Sequence, residues 1–341
     1  MSPGFVLLCG LIWTFLTSSV LAATSAADGL VVVTIKPVHS LVAGIMEGFA
    51  TPTLLLNGAA SPHTYTLRPS DARALEKSRL IVRVGRGLEL FLERPLASLA
   101  SRSRVVAMLE LSDLHRLPSR QGGVWDASHG HVDEPRDAKV DHQQDNGHRA
   151  ARSDHGHDHD PHAGHDPATL VDPHVWLDPE NGRVLVAALV HILGDVWPEQ
   201  KNLFVRNGQR VQERLQALDL QLRNLLLPVR DRPFIVFHDA YHYFEARYGL
   251  AGVGTITLRP EHPPGARRIQ ELHQRLRHAK VVCLFSEPQF QPGMIQGLFK
   301  DFDVRLGVLD PLGSALQPGP DAYFQMLENL AADLRQCLAG N

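Results

Sequence analysis

The chain is short of several things, and each shortage closes a line of interpretation. Cysteine is scarce, with Cys9, Cys283 and Cys337 alone among 341 residues. Positive charge is not in surplus: 34 Lys and Arg face 37 Asp and Glu, which removes the basic footprint of a nucleic-acid partner. No His-Glu-x-x-His helix occurs, so the local signature of one large class of zinc hydrolases is missing. The amino terminus has no Lys or Arg ahead of its apolar run. That run, Phe5 to Leu21, is followed by small residues at Ala22 and Ala23, and the pattern reads as an export signal over residues 1–23. An uncleaved membrane anchor is the competing reading, for which the run is short. Removing the signal takes Cys9 with it. Cys283 and Cys337 are then an isolated pair, which in an oxidising compartment most simply forms one disulfide. Closing a loop of this length contributes about 4 kcal/mol in the chain-entropy picture.

What the chain has in plenty is histidine, 19 in all, and apolar runs at regular intervals. Leu30 to Ile35 is a β-branched run, expected as a strand buried on both faces. His39 to Phe49 has helical spacing. Thr53 to Leu56, Leu80 to Val84 and Arg104 to Met108 add strands; helices are expected from Asp71, capped by Ser70, and from about Glu89 to Leu99. Alternation of this kind predicts a parallel sheet with crossover helices. Asn181 to Trp197 is helical. Pro198 then opens a longer pattern to Leu227, in which Val211, Leu215, Leu218, Leu222 and Leu225 form one apolar stripe. The second half repeats the rhythm, with strands at Phe234 to Phe237, Val253 to Leu258, Lys280 to Phe285 and Val304 to Leu309. Its helices follow Asp239 as N-cap, run from Arg267 to Ala279, and close the chain from Asp321 to Leu338. The expected fold class is α/β: two (β/α) lobes with parallel sheets, joined by a long rigid linker helix. The amino-terminal lobe is placed at 29–197, the linker helix at 198–227 and the carboxy-terminal lobe at 228–341.

Inside the first lobe the pattern collapses over residues 118–168. His129, His131, His142, His148, His155, His157, His159, His162 and His165 stand among Asp and Gly, with few large apolar residues. The run is expected to be disordered, and to bind borderline metals weakly through several imidazoles. An inert linker is the plain alternative, which nine histidines argue against. Just after the run comes Asp172-Pro173-His174-Val175-Trp176-Leu177-Asp178-Pro179. Prolines on both sides hold its histidine in one place, as a metal ligand requires. His63 and His238 lie just past apolar strands, at the carboxyl ends where open α/β sheets put ligands. Three imidazoles with a carboxylate (Asp310 or Glu287) or a water make a tetrahedral zinc site. Ligands drawn from both halves place the metal in the interdomain cleft.

Five segments then carry a resemblance. They are Ser61 to Asp71 with its Pro-His and Arg-Pro-Ser-Asp, the Asp-Pro-His segment, Val236-Phe237-His238-Asp239-Ala240-Tyr241, Phe285-Ser286-Glu287-Pro288-Gln289-Phe290, and Leu309-Asp310-Pro311-Leu312-Gly313. In order and spacing they resemble the zinc-specific substrate-binding proteins of bacterial ABC transporters, along nearly the whole mature chain. The resemblance implies high-affinity capture of Zn2+ in the periplasm and delivery to a membrane permease, by a monomer that is not an enzyme. It implies His63, His174 and His238 as ligands. The fourth stays open between Asp310, which matches the acidic ligand of the manganese-binding branch, and water, because the position before the first histidine is Pro62 rather than an acid. Three rivals are weighed. A manganese-specific protein of the same class is disfavoured by three imidazoles. A secreted zinc hydrolase would need Glu287 as its general base. A metal buffer would work mainly through the histidine-rich loop.

Overall fold

The computed structural model describes residues 29–120, 122–125, 171–258, 260, 262–290, 297 and 299–340. Residues 1–23, read above as an export signal, and the histidines from His129 to His165 lie outside them. Each half of the chain folds around a four-stranded parallel sheet. The first comprises β1 (Val31–Val33), β2 (Thr53–Leu54), β3 (Leu80–Arg83) and β4 (Arg104–Ala107), in the order β2-β1-β3-β4. The second comprises β5 (Phe234–Val236), β6 (Gly252–Thr255), β7 (Cys283–Ser286) and β8 (Arg305–Val308), in the order β6-β5-β7-β8. Parallel neighbours require crossovers. In the first half these are α1 (Lys36–Ile45), α2 (Pro69–Lys77) and α3 (Glu93–Leu99); in the second they include α6 (His242–Tyr248) and α7 (Ala266–His278).

Period-two alternation divides the second sheet between two cores. Phe234 and Val236 of β5 face the large core shared with the first half, whereas Ile235 and Phe237 face a smaller one with Val253, Leu272, Leu276 and Phe299. Between the sheets in chain order come α4 (Pro179–Val196) and α5 (Lys201–Leu226), packed on each other. Gly208 sets their approach, since a Cβ there would stand 2.3 Å from Val190 Cγ2. At 26 residues, α5 spans about 39 Å. It does not stand free as a strut. The last helix, α8 (Ala322–Ala339), returns from the second half to pack on both α1 and α5. Tyr323 of α8 seals this return: its N–H donates to Ser40 Oγ at 2.9 Å and its hydroxyl to Trp176 O at 2.8 Å. The Cys283–Cys337 disulfide ties β7 to α8, with Cα atoms 6.1 Å apart. No helix among the described residues is long and apolar enough to cross a membrane.

Helix starts depart from the sequence pattern where a side chain has another task. The α2 helix begins at Pro69, because Asp71 rather than Ser70 closes the first turn by accepting the Arg68 N–H at 2.8 Å. The helix expected from Glu89 begins as a 3-10 turn at Leu90 and becomes α-helical only at Glu93, since the Glu89 carboxylate folds back onto the N–H groups of Val84 and Gly85. Asp239 does not cap α6, which starts three residues later; its carboxylate is held by Arg120. The loop placed at 118–168 is also corrected at its start. Pro118 pairs with Val171 and Val124 with Gly254, so the described residues 118–120 and 122–125 are built into the fold by backbone pairing.

Candidate metal centre

Three connections bring His63, His174 and His238 together. His63 follows β2 in a tight turn, where Thr64 N donates to Ser61 O at 3.3 Å. The turn is anchored by Asp71 at the head of α2, which accepts the Tyr65 hydroxyl at 2.7 Å as well as the Arg68 N–H. That double use explains the Arg-Pro-Ser-Asp segment. His174 precedes a 3-10 turn, Val175–Leu177, whose buried Trp176 donates its indole N–H to Pro311 O at 2.8 Å and walls the imidazole at a ring distance of 5.2 Å. Asp178 then caps α4 by accepting from Glu180 N at 2.9 Å. His238 lies just past β5, in a turn closed by Ala240 N donating to His238 O at 2.8 Å.

One ligand atom from each of the three side chains lies within 4.8 Å of the others. The Nε2 atoms of His174 and His238 are 3.3 Å apart. Each Nδ1 is engaged on the far side by a buried carboxylate, His174 by Asp172 Oδ1 at 2.8 Å and His238 by Glu287 Oε1 at 2.7 Å. Facing a carboxylate, Nδ1 carries the hydrogen and Nε2 keeps its lone pair, which fixes tautomer and ring direction together. Two Nε2 atoms thus converge on one small space, a cavity of about 10 Å³ bounded by His63, Trp176, Phe290 and Leu312 as well. It has room for a single small occupant. A divalent cation fits both the geometry and the charge, because Asp172 and Glu287 supply two compensating negative charges one hydrogen bond away.

The electrostatics follow from burial and proximity. His63 is pushed down to about 2, first by burial and then by His174 and His238, so it stays neutral as a ligand must. Burial alone would lower His238 too, but the carboxylates around it, Glu287 first and then Asp239 and Asp172, together outweigh it and the net shift is upward. Burial raises Asp172, but the hydrogen bonds from His174 and the nearby His242 imidazole lower it further, and it ends well below the usual carboxylate range.

Not every sequence candidate joins the group. Asp310 is not among the three clustered residues; both its oxygens are occupied within its own turn and the next loop. Oδ1 accepts from Gln289 Nε2 at 2.9 Å and Leu312 N at 3.1 Å, and Oδ2 from the backbone and hydroxyl of Ser314, both at 2.6 Å. Glu287 is not among the three clustered residues either; its Oε1 holds His238 Nδ1 at 2.7 Å. Asp172 escaped the sequence reading as a partner of His174, although a carboxylate two residues before a proline-framed histidine was the available signal. His242 also stands beside the group, its Nδ1 3.6 Å from Asp172 Oδ2.

A family model described as "ZnuA: Zinc-uptake complex component A periplasmic" matches residues 31–337. The chain belongs to this zinc-uptake family. The high-affinity zinc uptake system protein ZnuA of Brucella suis is 42% identical over 310 residues, covering 91% of each chain. Its namesake from Yersinia pestis is 32% identical over 325 residues, covering 95% of this chain and 96% of its own. Among solved structures, a crystal structure of ZnuA superposes with a TM-score of 0.70 at 19% identity, covering 93% of this chain and all of that one. The periplasmic zinc binding protein TroA from Treponema pallidum gives 0.68 at 21%, covering 90% of this chain and 98% of its own. These two likenesses establish the shared fold: two parallel-sheet α/β lobes about a helical connection.

Proposed function

We propose that this zinc-uptake family member captures Zn2+ in the periplasm and hands it to the permease of an ABC transporter, with His63, His174 and His238 as its ligands. The observation that carries the reading is the convergence of three imidazoles, two of them locked by buried carboxylates, in a space for one small ion. Three neutral nitrogen donors favour zinc over manganese, which prefers oxygen. The fourth position then falls to water, since Asp310 has its oxygens committed to Gln289, Leu312 and Ser314. The role is binding rather than catalysis: Glu287, the general base that a hydrolase would need, is spent on His238. Export by residues 1–23, action as a monomer, and weak auxiliary binding by the histidine-rich run belong to the same reading. Titration of the loop-deleted mature protein with zinc against a chelator of known affinity tests it. One tight equivalent that disappears on His174→Ala is expected; a tight equivalent that survives the substitution refutes the centre.

A further inference from the structure

We propose that Arg120 and Tyr243 are positioning residues for this centre: they bolt the ligand-bearing loops of the two lobes together and so set how slowly a bound ion is released. The inference rests on the three-histidine reading above. His174 comes from the first lobe and His238 from the second, so an ion held between their Nε2 atoms is kept only while the two loops stay in register. Neither histidine supplies that register by itself.

The register comes from three segments knitted beside the centre. Asp172, which orients His174, donates its N–H to Leu117 O at 2.9 Å, and Pro118 pairs with Val171. Tyr243, from α6 of the other lobe, closes the seam. Its buried hydroxyl donates to Asp172 O at 3.0 Å and accepts from Leu117 N at 2.9 Å. Arg120 then reaches into the second lobe. Its Nε lies 3.0 Å from both oxygens of Asp239, the residue after His238, and its Nη1 lies 2.7 Å from Glu245 Oε2. Trp125 covers the guanidinium at 3.6 Å.

The seam continues along the outer edge of β6, where Thr255 N donates to Gly123 O at 2.9 Å and Trp125 N to Val253 O at 3.1 Å. Two glycines make room for it. A Cβ on Gly254 would stand 2.7 Å from Gly123 O, and one on Gly252 would stand 2.5 Å from Glu245 Oε2. Only a planar fork satisfies two carboxylates and an aromatic face at once, which is why the bolt is arginine and not lysine.

The test measures zinc release into excess chelator by stopped flow, on the full mature chain, with the melting temperature of the metal-free protein alongside. Tyr243→Phe removes one oxygen and leaves the ring's packing. It is expected to speed release by about tenfold, the effect usual for groups behind a metal's ligands, while association changes little. Arg120→Lys keeps the charge but not the fork and should release faster than wild type, and Arg120→Gln faster still. Arg120→Gln leaves Asp239 and Glu245 unpaired; should it fail to fold, Tyr243→Phe and Arg120→Lys decide. A purely structural role would lower the melting temperature without altering release well below it. Unchanged release in both decisive variants overturns the proposal. His174→Ala separates the two levels. If it loses the tight equivalent while the bolt variants release normally, the bolt alone fails; if it binds like wild type, the centre itself fails.

Discussion

The two lobes share a strand order, yet the carboxylates that follow their third strands do different work. Glu89 comes after β3 and Glu287 after β7, and both are buried. Glu89 turns back on its own turn, accepting the N–H groups of Val84 at 3.2 Å and Gly85 at 2.9 Å. Burial raises its pKa, and no imidazole stands among the groups acting on it. Glu287 reaches across to the neighbouring strand's loop and fixes His238. Each lobe spends one buried carboxylate after its third strand: the first on backbone, the second on a proposed ligand. A fold repeated twice therefore does not repeat its site. The connection after a strand decides the chemistry, not the strand.

The largest contrast lies outside the site. Cys283 opens β7 and is tied covalently to α8, whereas the corresponding start of β3 is Leu80, a buried residue with no covalent tie. Reducing the disulfide, or replacing both cysteines by Ala, is expected to destabilise the metal-free protein by about 4 kcal/mol, the value for closing a loop of this length. Zinc affinity should stay the same, because neither sulfur is near the three histidines. Thermal unfolding of oxidised and reduced protein, followed by zinc titration of each, checks both halves. A large loss of affinity on reduction would mean that the second lobe needs its staple to present His238.

Next in size come the ligands. Structural zinc binding is worth about 10–16 kcal/mol in small peptides. Shared among four positions, that is about 3 kcal/mol each, or roughly a hundredfold or more in affinity. Replacing His63, His174 or His238 by Ala should each cost this much, whichever lobe the residue belongs to. Asp310→Ala should cost far less affinity and more stability, since its oxygens hold Gln289, Leu312 and Ser314 rather than an ion.

The carboxylate pair gives a cleaner dissection. Glu287→Gln should weaken zinc by about tenfold or somewhat more, as loss of a ligand's orienting partner generally does. Glu89→Ala should leave zinc affinity alone and lower stability by about 1–3 kcal/mol, by stranding two buried N–H groups. Chelator competition and chemical denaturation on both variants provide the readouts. Equal effects of the two on zinc would erase the distinction between the lobes.

The strands were legible because β-branched runs such as Val31-Val32-Val33 and Phe234-Ile235-Val236 bury both faces and need no partner to be recognised. His63 and His238 were legible because each sits past such a run, and His174 because prolines frame it on both sides. What the sequence hid depends on side chains that choose between local and distant partners. Glu89 and Asp239 both stood where a helix might begin, and each was claimed by another bond, one local and one 119 residues away in sequence. Asp310 had the chemistry of a ligand, but the N–H and hydroxyl of Ser314 four residues on claimed Oδ2. Periodicity carries no record of such choices.

The smallest expected effect is in pH, and it divides the lobes once more. His238, in the second lobe, has a pKa raised above its ordinary 6.5, while His63, in the first, is pushed down to about 2. As pH falls from 8, His238 thus takes a proton well before His63, and zinc must displace it. Affinity should fall by about tenfold, or 1.4 kcal/mol, per pH unit below that raised value, with His63 adding no proton competition until far lower. The stability of the metal-free protein follows the opposite sense for His238. Its pair with Glu287 stabilises the fold fully below 6.5 and is lost as pH rises through the raised pKa. The neutral, buried His63 stabilises above 6.5 relative to lower pH, and that contribution drains away as pH falls toward 2. Glu287→Gln removes the main cause of the upward shift, so burial should then dominate and move the onset of zinc loss to lower pH. Zinc titrations between about pH 5 and 8 on wild type and Glu287→Gln measure that onset. An onset that does not move would mean that the proton competing with zinc sits elsewhere than on His238.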